Sequence, residues 1–340
     1  MVEVLEQLGT MSRARNLRAA DRLEQLRPLL VDDLAAVEAA LSLPTQERAV
    51  HSGAQHLLAR GGKRLRPICL ALASRLGTGF DARALDLAVA AELVHSATLL
   101  HDDVVDLGAA RRGAPTARVI YGNAISIFAG DWLLIDSLRR VRRSSSADVL
   151  ERLLDVIDEM IVAESRQLER RGRLSSSMDD WNAVASGKTA ALFRWAMYAG
   201  ARAGGLGAHD AQALEGFGEH LGLAFQAVDD VLDLTGDPGT TGKALFADLR
   251  EGKASLPIVL ALRERPELEA TLLRAAQSDL DDALGVRLAG EVAATGAIDA
   301  TRRFADDHVG RACAVLEAFR GGAARAALVS IAHAMTAREV

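Results

Sequence analysis

Proline, aromatic and cysteine side chains are scarce in this chain, and each scarcity removes a class of structure. Seven prolines and an aromatic share of 4% across 340 residues, with few β-branched residues, disfavour a sheet protein. The Ala-, Leu- and Arg-rich remainder leans towards helix. The two cysteines, Cys69 and Cys313, lie far apart with no CxxC or Cys/His spacing. They read as small hydrophobes in a reducing cytosol. An excess of positive charge is also missing: the formal net charge of −6 argues against a general nucleic-acid binder, so any anion site must be built locally. Long uncharged apolar runs are absent too. Even the stretch 84–100 carries Asp86, Glu92 and His95, which disqualifies it as a membrane span. Glu3 and Glu6 interrupt the first apolar residues, which leaves no signal-peptide core. A cytoplasmic location is expected.

Helical periodicity dominates what is present, and no strand-like alternation persists. Short polar or glycine-rich pieces punctuate it: GGKR at 61–64, LGTGFD at 76–81, LGAARRGAP at 107–115, RRSSSAD at 142–148, RRGRLSSSMDD at 170–180 and TGDPGTTGK at 235–243. Pro67 suits the first turn of a helix running to about Leu76. Asp81 suits the cap of the next, which continues to about Asp106. The Arg-rich opening at 12–27 also holds Asp21 and Glu24 and reads as a solvated helix face. No linker composition or short repeat appears, so residues 1–340 are expected to form one all-α domain.

Against this background one pattern occurs twice. Residues 99–106 read LLHDDVVD and residues 227–233 read AVDDVLD. On a helix Asp102 and Asp106 share a face with Asp103 to one side, and Asp229, Asp230 and Asp233 repeat that geometry. Like charges at this spacing repel, and burying them is costly without a partner. Hard divalent cations want oxygen ligands, and Mg²⁺ typically takes one or two carboxylates and fills its octahedron with water and phosphate oxygens. Two such clusters facing each other suit a metal-bridged phosphate. Cations lie between them: Lys63, Arg64 and Arg66; Arg111 and Arg112; Lys188 beside Thr189; and Lys243 and Lys253. Each alone is an ordinary surface charge. Interleaved with the acidic clusters, they suggest a site for two polyphosphates.

The ordered set GGKRLRP, HSATLLHDDVVD, RRGAPT, GNAISIFAGD, GKTAALF, FQAVDDVLD and EGKASLP, covering nearly all of residues 50–260, resembles the trans-isoprenyl diphosphate synthases, or polyprenyl synthetases. The resemblance implies a helical bundle around a deep central cavity, usually a homodimer. It implies Mg²⁺-dependent head-to-tail (1′-4) condensation of isopentenyl diphosphate with an allylic diphosphate. By resemblance Asp102, Asp106 and Asp229 hold the metal, while Asp103, Asp230 and Asp233 support them or bind through water. The allylic diphosphate would meet Arg111, Lys188, Thr189, Gln226, Lys243 and Lys253. Isopentenyl diphosphate would meet Lys63, Arg66, His95 and Arg112. His95 sits two turns before Asp102 and so faces the same cavity, although a lone His on an apolar helix is more often a satisfied core residue.

In this family the allylic C–O bond breaks, metals and cations stabilise the departing charge, and the isopentenyl double bond attacks the carbocation. Electrostatic preorganisation replaces any nucleophilic triad. The chain departs from the family in three places beside the ligands. Phe246 stands where a glycine is common, Ser255 replaces a common Thr, and Leu107-Gly108 replaces polar residues. Product length is read from the helix below Asp102, since its pitch of about 5.4 Å roughly matches one isoprene unit per turn. Ala97 and Thr98 form an open first rung, Leu93 and Val94 the next, then Ala90 and Ala91. A long product of about six to ten units (C30–C50) is expected. A plug from Phe128, Trp132 or Met160 would instead favour a geranylgeranyl (C20) or shorter farnesyl product. A class I terpene cyclase is disfavoured by the second Asp cluster, and a non-catalytic synthase subunit by the retention of both.

Overall fold

The computed structural model describes residues 17–42, 48–174, 176–236, 245–277 and 282–336. The described helices are α1 (Leu17–Leu41), α2 (Ala49–Leu58), α3 (Leu65–Arg75), α4 (Ala82–Val105), α5 (Ala117–Tyr121), α6 (Asn123–Ser144), α7 (Ala147–Glu169), α8 (Met178–Ala185), α9 (Ala191–Ala203), α10 (Ala208–Thr235), α11 (Ala247–Arg250), α12 (Leu256–Glu264), α13 (Leu268–Gln277), α14 (Asp282–Ala293), α15 (Ala297–Val315) and α16 (Ala323–Thr336). The chain is an all-α bundle, as its composition predicts.

Helix α4 runs through the middle of the bundle and delivers the first aspartates. Its start is fixed by Asp81, whose carboxylate accepts from the amides of Arg83 (2.9 Å) and Ala84 (3.0 Å), satisfying two of the four amides a helix start leaves open. Ala88, Val89, Ala90, Ala91, Leu93 and Val94 are all at most 1% exposed, so the helix is apolar nearly all round and is enclosed by α3, α6 and α9. Its end is a Schellman turn: the Gly108 amide donates to the Asp103 carbonyl (2.9 Å) and the Leu107 amide to the Val104 carbonyl (3.4 Å). Leu107 takes the left-handed conformation (φ 55°) that this turn requires. The chain then doubles back in a two-stranded hairpin, Ala110–Arg111 against Ala114–Pro115. Positive φ at both Arg112 (52°) and Gly113 (73°) makes its turn type I′. The sequence expectation of a plain loop at 107–115 misses this hairpin, which is too short to show alternation.

Between α8 and α9 the residues Ser186–Ala190 form one π-helical turn, a bulge that commonly marks functional sites. It presents Lys188 and Thr189. The turn lies so close to α10 that a Cβ on Gly222 would stand 2.4 Å from Ala190 Cα, which excludes any side chain there.

Apolar packing falls into two clusters. The larger includes Leu30, Ile68, Leu93, Phe193, Trp195, Phe217 and Leu328. The smaller gathers Leu234, Phe246, Leu249, Ile258, Leu272 and Leu288, and Ala254 and Leu260 pack against both. Buried within the bundle is one ion triad. Arg64, 3% exposed and left-handed (φ 46°), pairs with Glu92 and, at 2.6 Å, with Glu38. Such a charge is retained in an interior only when paired.

Candidate active site

The C-terminal end of α4 and the last two turns of α10 supply the aspartates, and cations from two other segments hold them. Lys188 of the π-turn points its ammonium at Asp102 (3.8 Å) and also contacts Glu164 and the side-chain amide oxygen Oε1 of Gln167 (3.1 Å). Burial pushes the Asp102 carboxyl up from its usual range, with Glu164 and Asp106 adding to the effect and Lys188 opposing it. Asp106 receives Lys253 at 2.8 Å, across 147 residues of sequence. Burial works against the charged Lys253 ammonium, but its bonds to Asp106 and Glu251 outweigh that and raise its pKa. Thr189 donates to Gln226 (2.7 Å). A cavity of about 160 Å³ opens beside these groups, lined among others by Gln167, Lys188, Thr189, Gln226, Asp230 and Lys253.

The six aspartates are placed in different surroundings. Asp102 and Asp106 face the cations. Asp229 and Asp233 are half-buried, and Asp233 also anchors the returning chain: its carbonyl accepts from Phe246 (2.8 Å) and its carboxylate from the Asp248 amide (3.4 Å). Asp103 and Asp230, grouped with the metal ligands by sequence, turn inward. Asp103 is 3% exposed and takes the Arg111 guanidinium at 2.9 Å. Asp230 is 2% exposed and accepts from Trp181 (2.8 Å), Gln226 (2.8 Å) and the Leu256 amide (2.7 Å). Burial, reinforced by Asp248, pushes its acid up to about 7 against the pull of those three donors. So enclosed, it braces α8 and α12 against α10. The physical reason is rotational: adjacent residues on a helix point about 100° apart, so one of each Asp-Asp pair faces the packing side.

A second cationic group lies two turns earlier along α4. His95 is flanked by Arg66, Arg112, Arg111 and Arg64, and burial first, then these positive charges, holds its pKa well below the usual value. Arg66 stacks over the Phe193 ring at 4.7 Å. Arg112 reaches the Gly61 carbonyl, in the space left by the missing Cβ of Gly62. Lys63 is half-buried in the turn entering α3. Of the expected neighbours of isopentenyl diphosphate, Arg66, His95 and Arg112 lie close together. Arg64 lies near them as well, but its side chain is committed to Glu92 and Glu38. Lys243 lies outside the described residues.

Along the wall below Asp102, Ala97 (2%) and Val94 (1%) are packed into the core. Thr98 is half-buried, its hydroxyl donating to the His95 carbonyl (2.8 Å). Of the alternative plugs, Phe128 is 57% exposed on the outer face of α6 and fills no interior space. Trp132 meets the His51 ring edge-on at 4.7 Å, and Met160 is buried in the core.

Among the described residues no three His, Cys, Asp or Glu side chains form a closed metal cage. The donors nevertheless fit a hard cation with an open coordination sphere. Asp106 Oδ1 is buried without a hydrogen bond, Asp102 is crowded by negative neighbours, and two lysines supply the counter-charge. Glu164, Gln167, Arg171 and Trp181 are site residues that sequence reasoning did not single out. Their only sequence signals are polar positions on α7 and the RRGR run.

Residues 47–287 match the polyprenyl synthetase family. The octaprenyl diphosphate synthase of Escherichia coli K12 is 31% identical over 324 residues, covering 93% of this chain and 99% of that protein. The heptaprenyl diphosphate synthase component 2 of Geobacillus stearothermophilus is 33% identical over 318 residues, covering 92% and 97%. The crystal structure of a polyprenyl synthase from Caulobacter crescentus CB15, complexed with calcium and isoprenyl diphosphate, superposes with a TM-score of 0.87 at 35% identity, covering 93% of this chain and 98% of that one. With paired aspartates set among cations at the centre of an all-α bundle, and relatives matched from end to end, the chain belongs to the polyprenyl synthetase family of prenyl-chain-elongating, divalent-metal-using trans-prenyltransferases.

Proposed function

We propose that this enzyme joins isopentenyl diphosphate to an allylic diphosphate in repeated 1′-4 condensations, using Mg²⁺, and releases an all-trans polyprenyl diphosphate of about C30 to C50. The observation that carries this reading is the pair of cationic groups at two levels along α4, one at Asp102 and Asp106 and the other two turns earlier at His95. Lys188 and Lys253 sit on the aspartates, while Arg66 and Arg112 flank His95. Two diphosphates are thereby held apart and aimed at each other, which lowers the barrier by orientation alone.

Each group has a distinct task. Asp102 and Asp106, with Asp229 opposite, would hold the metal, which when bound supplies positive charge to the departing diphosphate. Lys188 and Lys253, now bonded to those carboxylates, lie where a diphosphate bridging them would receive their protons. Thr189 and Gln226 fix each other beside it. Arg111 orients Asp103 and, through the hairpin, sets the position of Arg112. Burial and the surrounding arginines disfavour the charged form of His95, so it would offer isopentenyl diphosphate a neutral N–H. The aliphatic surroundings exclude water from the carbocation formed when the allylic C–O bond breaks.

The long product is supported by the absence of an aromatic at Ala97, Thr98, Val94 or Ala90, and by the octaprenyl and heptaprenyl relatives. We treat residues 1–340 as one cytoplasmic domain. No described helix is long and apolar enough to cross a membrane. A homodimer is supported by exposed apolar side chains on α6 and α7, namely Phe128 (57%), Ile135 (47%), Ile161 (62%) and Val162 (53%). Sedimentation checks it. The deciding assay incubates the protein with isopentenyl diphosphate and geranyl, farnesyl or geranylgeranyl diphosphate and sizes the products. Elongation should require Mg²⁺ and fall by about two orders of magnitude or more in Asp102→Ala and Asp229→Ala. Full activity in EDTA would overturn the proposal.

A further inference from the structure

One positively charged side chain reaches the metal-binding aspartates from a segment that the family motifs leave unassigned. After α7 the chain reads Arg170-Arg171-Gly172-Arg173. Arg170 is taken by Asp180 (2.7 Å). Arg171 is directed the other way: its Nη2 lies 3.6 Å from Asp106 Oδ1, the buried oxygen that lacks a hydrogen bond. Asp106 is thus bracketed, with Lys253 on Oδ2 at 2.8 Å and Arg171 on Oδ1.

The position of Arg171 is built by the backbone. Its Nε donates to the Glu251 carbonyl (2.7 Å), and the next amide, Gly172, donates to the Gly252 carbonyl (2.9 Å). This zips 171–172 onto the segment that carries Lys253. The contact is close enough that a Cβ on Gly252 would stand 2.8 Å from the Gly172 nitrogen, and Gly252 itself is left-handed (φ 75°). Arg171 and Lys253 are therefore two cations on one joined platform, both aimed at the same carboxylate.

We infer that Arg171 is a contact of the allylic diphosphate, held over Asp106 until ligand and metal arrive. One carboxylate has no room for a divalent ion and two cations together. Once Asp106 binds the ion, Arg171 and Lys253 face the phosphate oxygens that the same ion carries. A guanidinium there offers two parallel donors, the geometry that phosphate accepts best. The side chain is about one-third exposed, so it is free to shift while its Nε stays on Glu251. This inference rests on the prenyl-transfer reading and adds a residue to it.

Arg171→Gln and Arg171→Lys test it. Two readouts are needed: steady-state kinetics with each substrate varied, and calorimetric binding of inorganic diphosphate with Mg²⁺, which needs no turnover. Arg171→Gln should raise KM for the allylic diphosphate and weaken diphosphate binding by about tenfold, leaving KM for isopentenyl diphosphate unchanged. Arg171→Lys should recover part of both. Unchanged diphosphate binding, equal effects on the two KM values, or a lowered melting temperature with normal binding would each show that Arg171 only braces the loop. A wild-type protein that binds diphosphate but elongates nothing would instead sink the prenyl-transfer reading and leave the Arg171 measurement standing.

Discussion

Phe246 offers a sharp test of how the site is held together, because its backbone and its side chain pull in opposite directions. Its φ of 57° is left-handed, a conformation that costs a residue with a Cβ about 1–2 kcal/mol and costs glycine nothing. Its ring, by contrast, is 0% exposed in the smaller apolar cluster beside Leu249 and Ile258. Truncating such a ring costs about 3–5 kcal/mol. Phe246→Ala keeps the strain and loses the ring, so about 3–5 kcal/mol of stability should go. Phe246→Gly loses the ring but relieves the strain, while its more flexible unfolded chain takes back roughly 0.4–1 kcal/mol. The glycine variant should therefore be the more stable of the two by about 1 kcal/mol, even though glycine is the smaller residue. Urea unfolding followed by circular dichroism reads the difference directly. An alanine variant as stable as the glycine variant, or more so, would refute the left-handed conformation and with it this account of the departure from the family's glycine.

His308 should make the protein acid-sensitive. Burial first, then the facing His220 (ring nitrogens 3.2 Å apart) and Arg311, lowers its pKa from 6.5 to about 4, with Asp307 opposing. A depressed histidine pKa means the unfolded chain binds the extra proton, so its contribution is complete above about pH 6.5 and is lost as pH falls towards 4. Melting temperature measured from pH 7.5 to 4.5 should fall less steeply in His308→Gln, and identical slopes would contradict this. Lys63→Ala and Arg66→Ala should raise KM for isopentenyl diphosphate about tenfold or more while sparing the allylic KM. Equal effects would dissolve the two-site assignment. Thr98→Phe should shorten the products, as should Ala97→Phe, but Ala97 is packed at 2% exposure, so that substitution should also cost about 1–3 kcal/mol through overpacking. Products of unchanged length in Thr98→Phe would show that this wall does not limit elongation.

Local physics made the helices and the doubled acidic pattern legible in the sequence, while the prenyl-transfer chemistry was legible only through the resemblance of the ordered motifs to a known family. Asp81 caps a helix because its carboxylate satisfies amides two and three residues away, and the predicted span to Asp106 agrees with Ala82–Val105 to within a residue. Pro67 falls in the first turn of α3 for the same local reason. The doubled Asp-Asp-x-x-Asp pattern and its interleaved cations announced a polyphosphate site, since repulsion along a helix is a property of spacing alone. Tertiary structure decided which member of each pair does what. Asp103 faces Arg111 only because a Schellman turn and a type I′ hairpin fold that arginine back. Arg64 is locked between Glu38 and Glu92, while Arg66, two residues on, lies over Phe193 near His95. Lys253 and Arg171 meet at Asp106 from points 147 and 65 positions away in the chain, and Trp181 finds Asp230 across 49 residues. None of these pairings leaves a periodic trace, because burial and charge complementarity select partners by distance in space and not by spacing along the chain.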